Sequence, residues 1–152
     1  MTLKQKSDGI YVDDSFNHVE FDSLIFDCDG VLIDITKSYD KTIIITTKYV
    51  LESLAKIHDS IDVDFKIIDG FKSTGGFNDE VDLTYAAILS LVAANKLKKV
   101  AIKFIFTVIQ NSDSTGITSV ENFLKKQTDI SEIINVLSYP GSHKENILYQ
   151  IF

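Results

Sequence analysis

Polar residues dominate positions 1–8 of the chain, and apolar residues then recur in two distinct periods. The polar start is expected to fray. Ile10, Tyr11, Val12, Val19 and Phe21, set around Asp13-Asp14-Ser15, predict a short extension or hairpin beside a first strand. Leu24, Ile25 and Phe26 then form an apolar run of strand formers, ended by Gly30. Such a run, bounded by a turn signal, predicts a buried strand. After Asp34 the period becomes helical.

Thr36 and Ser38 are acceptable helix caps, and Ile43, Thr47, Val50, Leu51 and Leu54 follow with helical spacing. They predict a helix over about 38–57. The β-branched run from Thr42 to Thr47 weakens its local propensity, so burial has to compensate. A short helix is predicted over about 63–71, presenting Val63, Ile67, Ile68 and Phe71. A glycine loop at 75 and 76 follows. Asn78 or Asp79 then caps a helix running to about 95 that is apolar nearly all round, the signature of a central helix. Further helices are predicted at 98–110, 119–127, 130–137 and 143–152. Thr118 with Glu121 and Ser142 with Glu145 match capping boxes, and Pro140-Gly141 makes the turn before the last helix.

The chemistry gathers at the end of the predicted strand. Residues two apart on a strand share a side, so Asp27 and Asp29 are expected to emerge together and Cys28 to point away into the interior. Two close carboxylates repel unless a cation or a proton intervenes. The pair is thus a candidate site for a divalent metal and for acid–base chemistry. The bland reading is a strand end with solvated carboxylates. A calcium loop does not fit, because position 38 is Ser where that loop needs Glu. Asp34 suits a cap or turn better than catalysis. His18, His58 and His143 lie apart without ligand spacing and read as surface residues.

Composition narrows the classes. The net charge of −7 and the complete lack of arginine argue against a generic nucleic-acid partner. Any phosphate contact falls to lysine, backbone amides or a metal. One cysteine excludes an internal disulfide and suits a reducing compartment. No apolar run reaches membrane-spanning length, and the first six residues lack the apolar core of a signal peptide. A cytoplasmic chain with neither membrane nor nucleic acid as partner is the expectation.

The stretch Phe26-Asp27-Cys28-Asp29-Gly30-Val31-Leu32-Ile33-Asp34 resembles the first motif of the haloacid dehalogenase (HAD) superfamily. Phe71 to Tyr85, containing Lys72, Gly75, Gly76 and Asn78, resembles a cap-domain segment of a phosphatase branch similar to the phosphoglycolate phosphatases. The resemblance runs from about Phe21 onward and covers the front half of such an enzyme. It implies an α/β fold: the first strand of a Rossmann-like core, then an inserted, mainly helical cap. On that reading residues 1–22 are an N-terminal extension, and 23–37 hold the first core strand and catalytic turn. Residues 38–140 form the cap, and 141–152 begin the return to the core. The Ser/Thr, Lys and further acidic motifs of the family are not found in the sequence, so the rest of the core is expected from elsewhere.

The resemblance implies a Mg²⁺-dependent hydrolase acting on a small phosphorylated metabolite. Asp27 is the implied nucleophile and Asp29 the general acid and base. Mg²⁺ sits on the Asp27 carboxylate and the Asp29 backbone carbonyl, and Gly30 lets the backbone approach the phosphate. Lys72, Gly75, Gly76 and Asn78 are the implied substrate-side residues, with the glycine loop closing over the site. Each also has a plain reading: a solvated lysine, two turn residues, a helix cap. The chain alone is expected to be inactive and to associate with a complementary core chain or with its own copies. The alternative class is a catalytically inactive helical interaction module derived from such an enzyme.

Overall fold

The computed structural model describes residues 3–13 and 22–133. Among them are a two-stranded antiparallel sheet and six helical segments, a mixed but mostly helical architecture. The chain divides into two compact units, Met1–Ile33 and Asp34–Phe152.

In the first unit, Asp8-Gly9 reverses the chain between β1 (Leu3–Ser7) and β2 (Ile10–Asp13). Gly9 has φ +73°, and Asp-Gly is the pair that a two-residue hairpin turn favours. Leu3 pairs with Asp13, Lys4 with Val12, Gln5 with Tyr11 and Ser7 with Ile10, with an irregularity between Gln5 and Ser7. The polar start is therefore paired over 3–7 rather than frayed, because the turn chemistry outweighs the lack of apolar residues. The second expectation to fall is the buried strand. Residues 23–27 have no regular structure, and Leu24, Ile25 and Phe26 are 73%, 97% and 61% exposed. Cys28, expected inside, is exposed as well. A strand exists only through the neighbour that accepts its backbone hydrogen bonds, and among the described residues none lies beside this run.

The second unit begins with a π-helical turn, Thr36–Asp40, followed by α1 (Lys41–Ser53). The single helix predicted for 38–57 is thus a π turn plus a shorter α-helix. Its end is set by Lys56, whose left-handed φ of +56° stops propagation while the Ile57 N–H reaches back to the Leu51 carbonyl at 2.8 Å. Helix α2 (Phe65–Ser73) starts where the Asp64 carboxylate accepts the Ile67 N–H at 3.0 Å. Helix α3 (Glu80–Lys96) starts where Asp79 accepts the N–H groups of Val81 and Asp82 at 2.7 and 3.3 Å. Such caps contribute about 1 kcal/mol each.

Helices α4 (Ala101–Gln110) and α5 (Ile117–Lys125) complete the bundle. The capping box predicted from Thr118 and Glu121 does not form. Gly116 is the residue before α5, and Glu121 pairs with Lys125 at 3.1 Å. Ser119 serves the helix start instead, donating to the Gly116 carbonyl and accepting the Asp113 N–H. Residues 131–133 are helical. The rest of the 130–137 prediction, the Pro140-Gly141 turn, the Ser142–Glu145 box and the 143–152 helix lie outside the described residues.

Helix α3 is the axis of the unit, touching α1, α2, α4 and α5. Eleven of its residues, from Leu83 to Ala94, are buried, as its all-round apolar sequence predicts. Phe71, Phe77, Ile43, Leu51, Ile105 and Leu124 are fully enclosed around it. Each contributes about 2 kcal/mol of transfer free energy, which offsets the poor helix propensity of the β-branched run in α1. No helix among the described residues is long and apolar enough to cross a membrane.

Candidate active site

The stretch from Asp27 to Ile33 is a closed turn built from backbone hydrogen bonds. The Cys28 carbonyl accepts both the Leu32 and the Ile33 N–H at 2.9 Å, and the Gly30 N–H donates to the Ile33 carbonyl at 2.9 Å. Asp29 is thereby flanked on both sides by bonds to Ile33, which form an isolated parallel bridge. Gly30 has φ +75°, a left-handed conformation that costs a residue with a Cβ about 1–2 kcal/mol. The turn is thus encoded by glycine at this one position, while no adjoining strand is needed to hold it.

Asp27, Asp29 and Gly30 are all exposed. Asp27 folds one carboxylate oxygen, Oδ1, back onto the Cys28 N–H at 2.8 Å. A carboxylate held by its neighbour's amide is fixed in orientation while its second oxygen faces away from that bond. Among the described residues no three His, Cys, Asp or Glu side chains gather as a metal cage. The donors that are present, carboxylate and carbonyl oxygens, are nevertheless the type Mg²⁺ takes. Mg²⁺ usually binds through one or two carboxylates and leaves other positions to water and phosphate. The donor chemistry of the turn therefore fits that ion.

The other predicted residues belong to the second unit, and there Lys72, Gly75 and Gly76 have structural partners. Lys72, in the last turn of α2, places its ammonium 3.0 Å from Oδ1 of Asp40. Asp40 is buried, its side chain only 7% exposed, at the start of α1. A cation at a helix end meets a favourable backbone dipole, and the pair braces α1 against α2. Sequence reading missed Asp40. Its signal was an acidic residue directly before an apolar-periodic helix, but only the fold brings it to Lys72, 32 positions away.

Gly75 and Gly76 form the turn after α2, with the Gly75 N–H on the Lys72 carbonyl at 3.1 Å. Gly75 has φ +80° and open space where a side chain would stand. Gly76 is different. A Cβ there would lie 2.5 Å from both the Asp113 carbonyl oxygen and the Gly116 nitrogen. The α2–α3 loop is therefore packed backbone to backbone on the α4–α5 loop. Asp113 orders that second loop by accepting the Thr115 hydroxyl and N–H at 2.5 and 2.8 Å. Those two bonds hold its carboxyl below the usual carboxylate range. Phe77 is fully buried and meets Phe71 edge-on at 5.0 Å, and Asn78 is exposed beside the capping Asp79.

The first unit holds an exposed two-aspartate turn, and the second holds a pinned glycine loop with a buried ion pair. No described protein family, curated protein or solved structure matches the chain.

Proposed function

We propose that the chain is the nucleophile-bearing portion of a HAD-type phosphomonoester hydrolase, completed by groups from a complementary core. The carrying observation is the Asp27–Ile33 turn, which exposes two aspartates around a left-handed glycine and closes on its own backbone. On this reading a carboxylate oxygen of Asp27 attacks phosphorus, and the bond from phosphorus to the leaving oxygen breaks. Asp29 enters protonated and delivers its proton to that alkoxide. Water then attacks the phosphorus of the aspartyl-phosphate, Asp29 takes the water's proton, and Asp27 and inorganic phosphate are released. Splitting the displacement in two is the general benefit of a carboxylate nucleophile. Mg²⁺, held by Asp27 and the Asp29 carbonyl, would offset the charge of the phosphoryl group.

The need for a partner rests on Leu24, Ile25 and Phe26, and on Val31, Leu32 and Ile33 at 61%, 65% and 55% exposure. Six large apolar side chains within ten positions form a surface that association would cover. An extended partner could also accept the unpaired backbone of 23–27.

The test is turnover of para-nitrophenyl phosphate with Mg²⁺ by the full chain, alone and co-expressed with a chain carrying the missing Ser/Thr, Lys and acidic groups. The chain alone is expected to be nearly inactive, and the pair active. Asp27→Asn is expected to abolish the activity of the pair, and Asp29→Asn to lower it by ~10²–10⁴-fold. Substantial turnover by the Asp27→Asn pair would remove Asp27 from the nucleophile role. Robust turnover by the chain alone would remove the partner requirement and leave Asp27 in place.

A further inference from the structure

Helices α4 and α5 leave an open groove of about 460 Å³ between them. Its apolar floor is Val100, Phe104 and Phe123, and Lys99 and Lys103 stand at its edge. Phe104 and Phe123 form a tilted ring pair, centroids 6.5 Å apart, so the floor is held by aromatic packing. Val100 is 62% exposed, a large apolar side chain presented to solvent at the start of α4.

Two lysines and no acidic residue line the groove, on a chain that carries −7 overall. Of the lysines in the flanking sequence, Lys96 is paired with Glu132 and Lys125 with Glu121. Glu121 is engaged by Lys125, and Asp113 by Thr115. Among the described residues, Lys98, Lys99, Lys103 and Lys126 are in no ion pair. Lys98 also takes φ +53°, a backbone conformation that glycine adopts at lower cost. The unpaired charges of Lys99 and Lys103 at the rim favour an anionic occupant.

We infer that the groove between α4 and α5 docks an acidic amphipathic segment of a partner protein, its apolar side chains on Val100, Phe104 and Phe123 and its carboxylates at Lys99 and Lys103. The apolar floor requires more of the occupant than charge, which disfavours inorganic phosphate. The local extent of the basic patch on an acidic chain disfavours nucleic acid and anionic membranes, since those polyanions would meet the remaining negative surface. A short segment that lays an apolar face into a groove, with charges at the rim, satisfies both. This docking site is independent of the phosphatase reading and uses none of its residues.

The experiment is fluorescence anisotropy of a labelled helical peptide with Leu and Phe on one face and Glu elsewhere, titrated with the full chain. Saturable binding that weakens as NaCl rises is expected. Lys99→Glu/Lys103→Glu should weaken it at least about tenfold, since like charges then face each other. Both side chains are exposed, so folding is not at risk. Val100→Ser, a favourable substitution at a helix start, should weaken binding without changing its salt dependence. Equal binding by the double variant, or of a peptide with Gln in place of Glu, would overturn the electrostatic half. Unchanged binding by Val100→Ser would overturn the groove as the seat. Lysine-dependent sedimentation with phosphatidylserine vesicles, in the absence of peptide binding, would replace the protein partner with a membrane surface.

Discussion

Replacing Gly76 by alanine places a methyl carbon 2.5 Å from two backbone atoms, the Asp113 oxygen and the Gly116 nitrogen, and 2.7 Å from the Gly116 Cα. Backbone cannot rotate aside as a flexible side chain can. The two loops must move apart by about 1 Å before the contact reaches an ordinary distance, and overpacking of this kind costs about 1–3 kcal/mol. With backbone on every side, the upper end is expected. At a few degrees per kcal/mol for a chain of this size, thermal unfolding followed by circular dichroism should fall by roughly 10 °C. Gly75→Ala is the control. It has the same change of side chain and a strained φ of +80°, but no atom within 4 Å, so about 1 kcal/mol is expected. Gly116→Ala, with φ +60° and its own Cβ directed at the Gly76 carbonyl, should cost more than Gly75→Ala. The double variant Gly76→Ala/Gly116→Ala should be less damaging than the sum, because one separation of the loops relieves both clashes. A Gly76→Ala variant within about 0.5 kcal/mol of the parent in urea unfolding would refute the packing role and return the loop to the status of a mobile closure.

Three further outcomes follow from the same bundle. Thr47 is 1% exposed and its hydroxyl finds no hydrogen-bond partner among the described residues; Thr47→Val keeps the shape, removes the orphaned group and should stabilise the chain by about 1–2 kcal/mol in urea unfolding. Lys72→Met leaves Asp40 buried without its cation, and a loss of about 1–3 kcal/mol is expected, discounted from a fully buried pair because Lys72 is 37% exposed; Asp40→Asn added to Lys72→Met should recover part of it. Hydrogen bonds from Thr115 and from Ser131 hold the carboxyls of Asp113 and Asp129 below their usual range, so the stability they supply is present above about pH 4 and lost as pH falls through the lowered values. Asp113→Asn should flatten that acid limb in a pH series of unfolding midpoints, and an unchanged limb would remove Asp113 as its source.

Much of the second unit was legible because its signals are local or periodic. Asp79, read as a cap, stands before an apolar-periodic run, and a carboxylate there reaches the N–H groups two and three residues on whatever the fold; Asp64 plays the same part for α2, although the sequence predicts that helix from about 63. The all-round apolar pattern of α3 predicted its central place because no other environment accepts it. Gly30 likewise announced a turn that its backbone closes without help. The Asp8-Gly9 turn is equally local, although the polar residues around it read as a frayed start.

What the sequence could not determine are the features made by partners distant along the chain. Leu24-Ile25-Phe26 has strand composition, but strand formation needs a second backbone at hydrogen-bond distance, and composition does not supply one. Lys72 reads as a free cation until α1 carries Asp40 to it. Gly76 reads as a turn residue until Gly116 and Asp113 occupy the space of its missing Cβ. Helix caps, periodic faces and left-handed turns are written within a few residues, because their energies depend on near neighbours. Ion pairs across helices, backbone-to-backbone contacts and the charge balance of a groove depend on which elements pack together, and only the tertiary structure decides that.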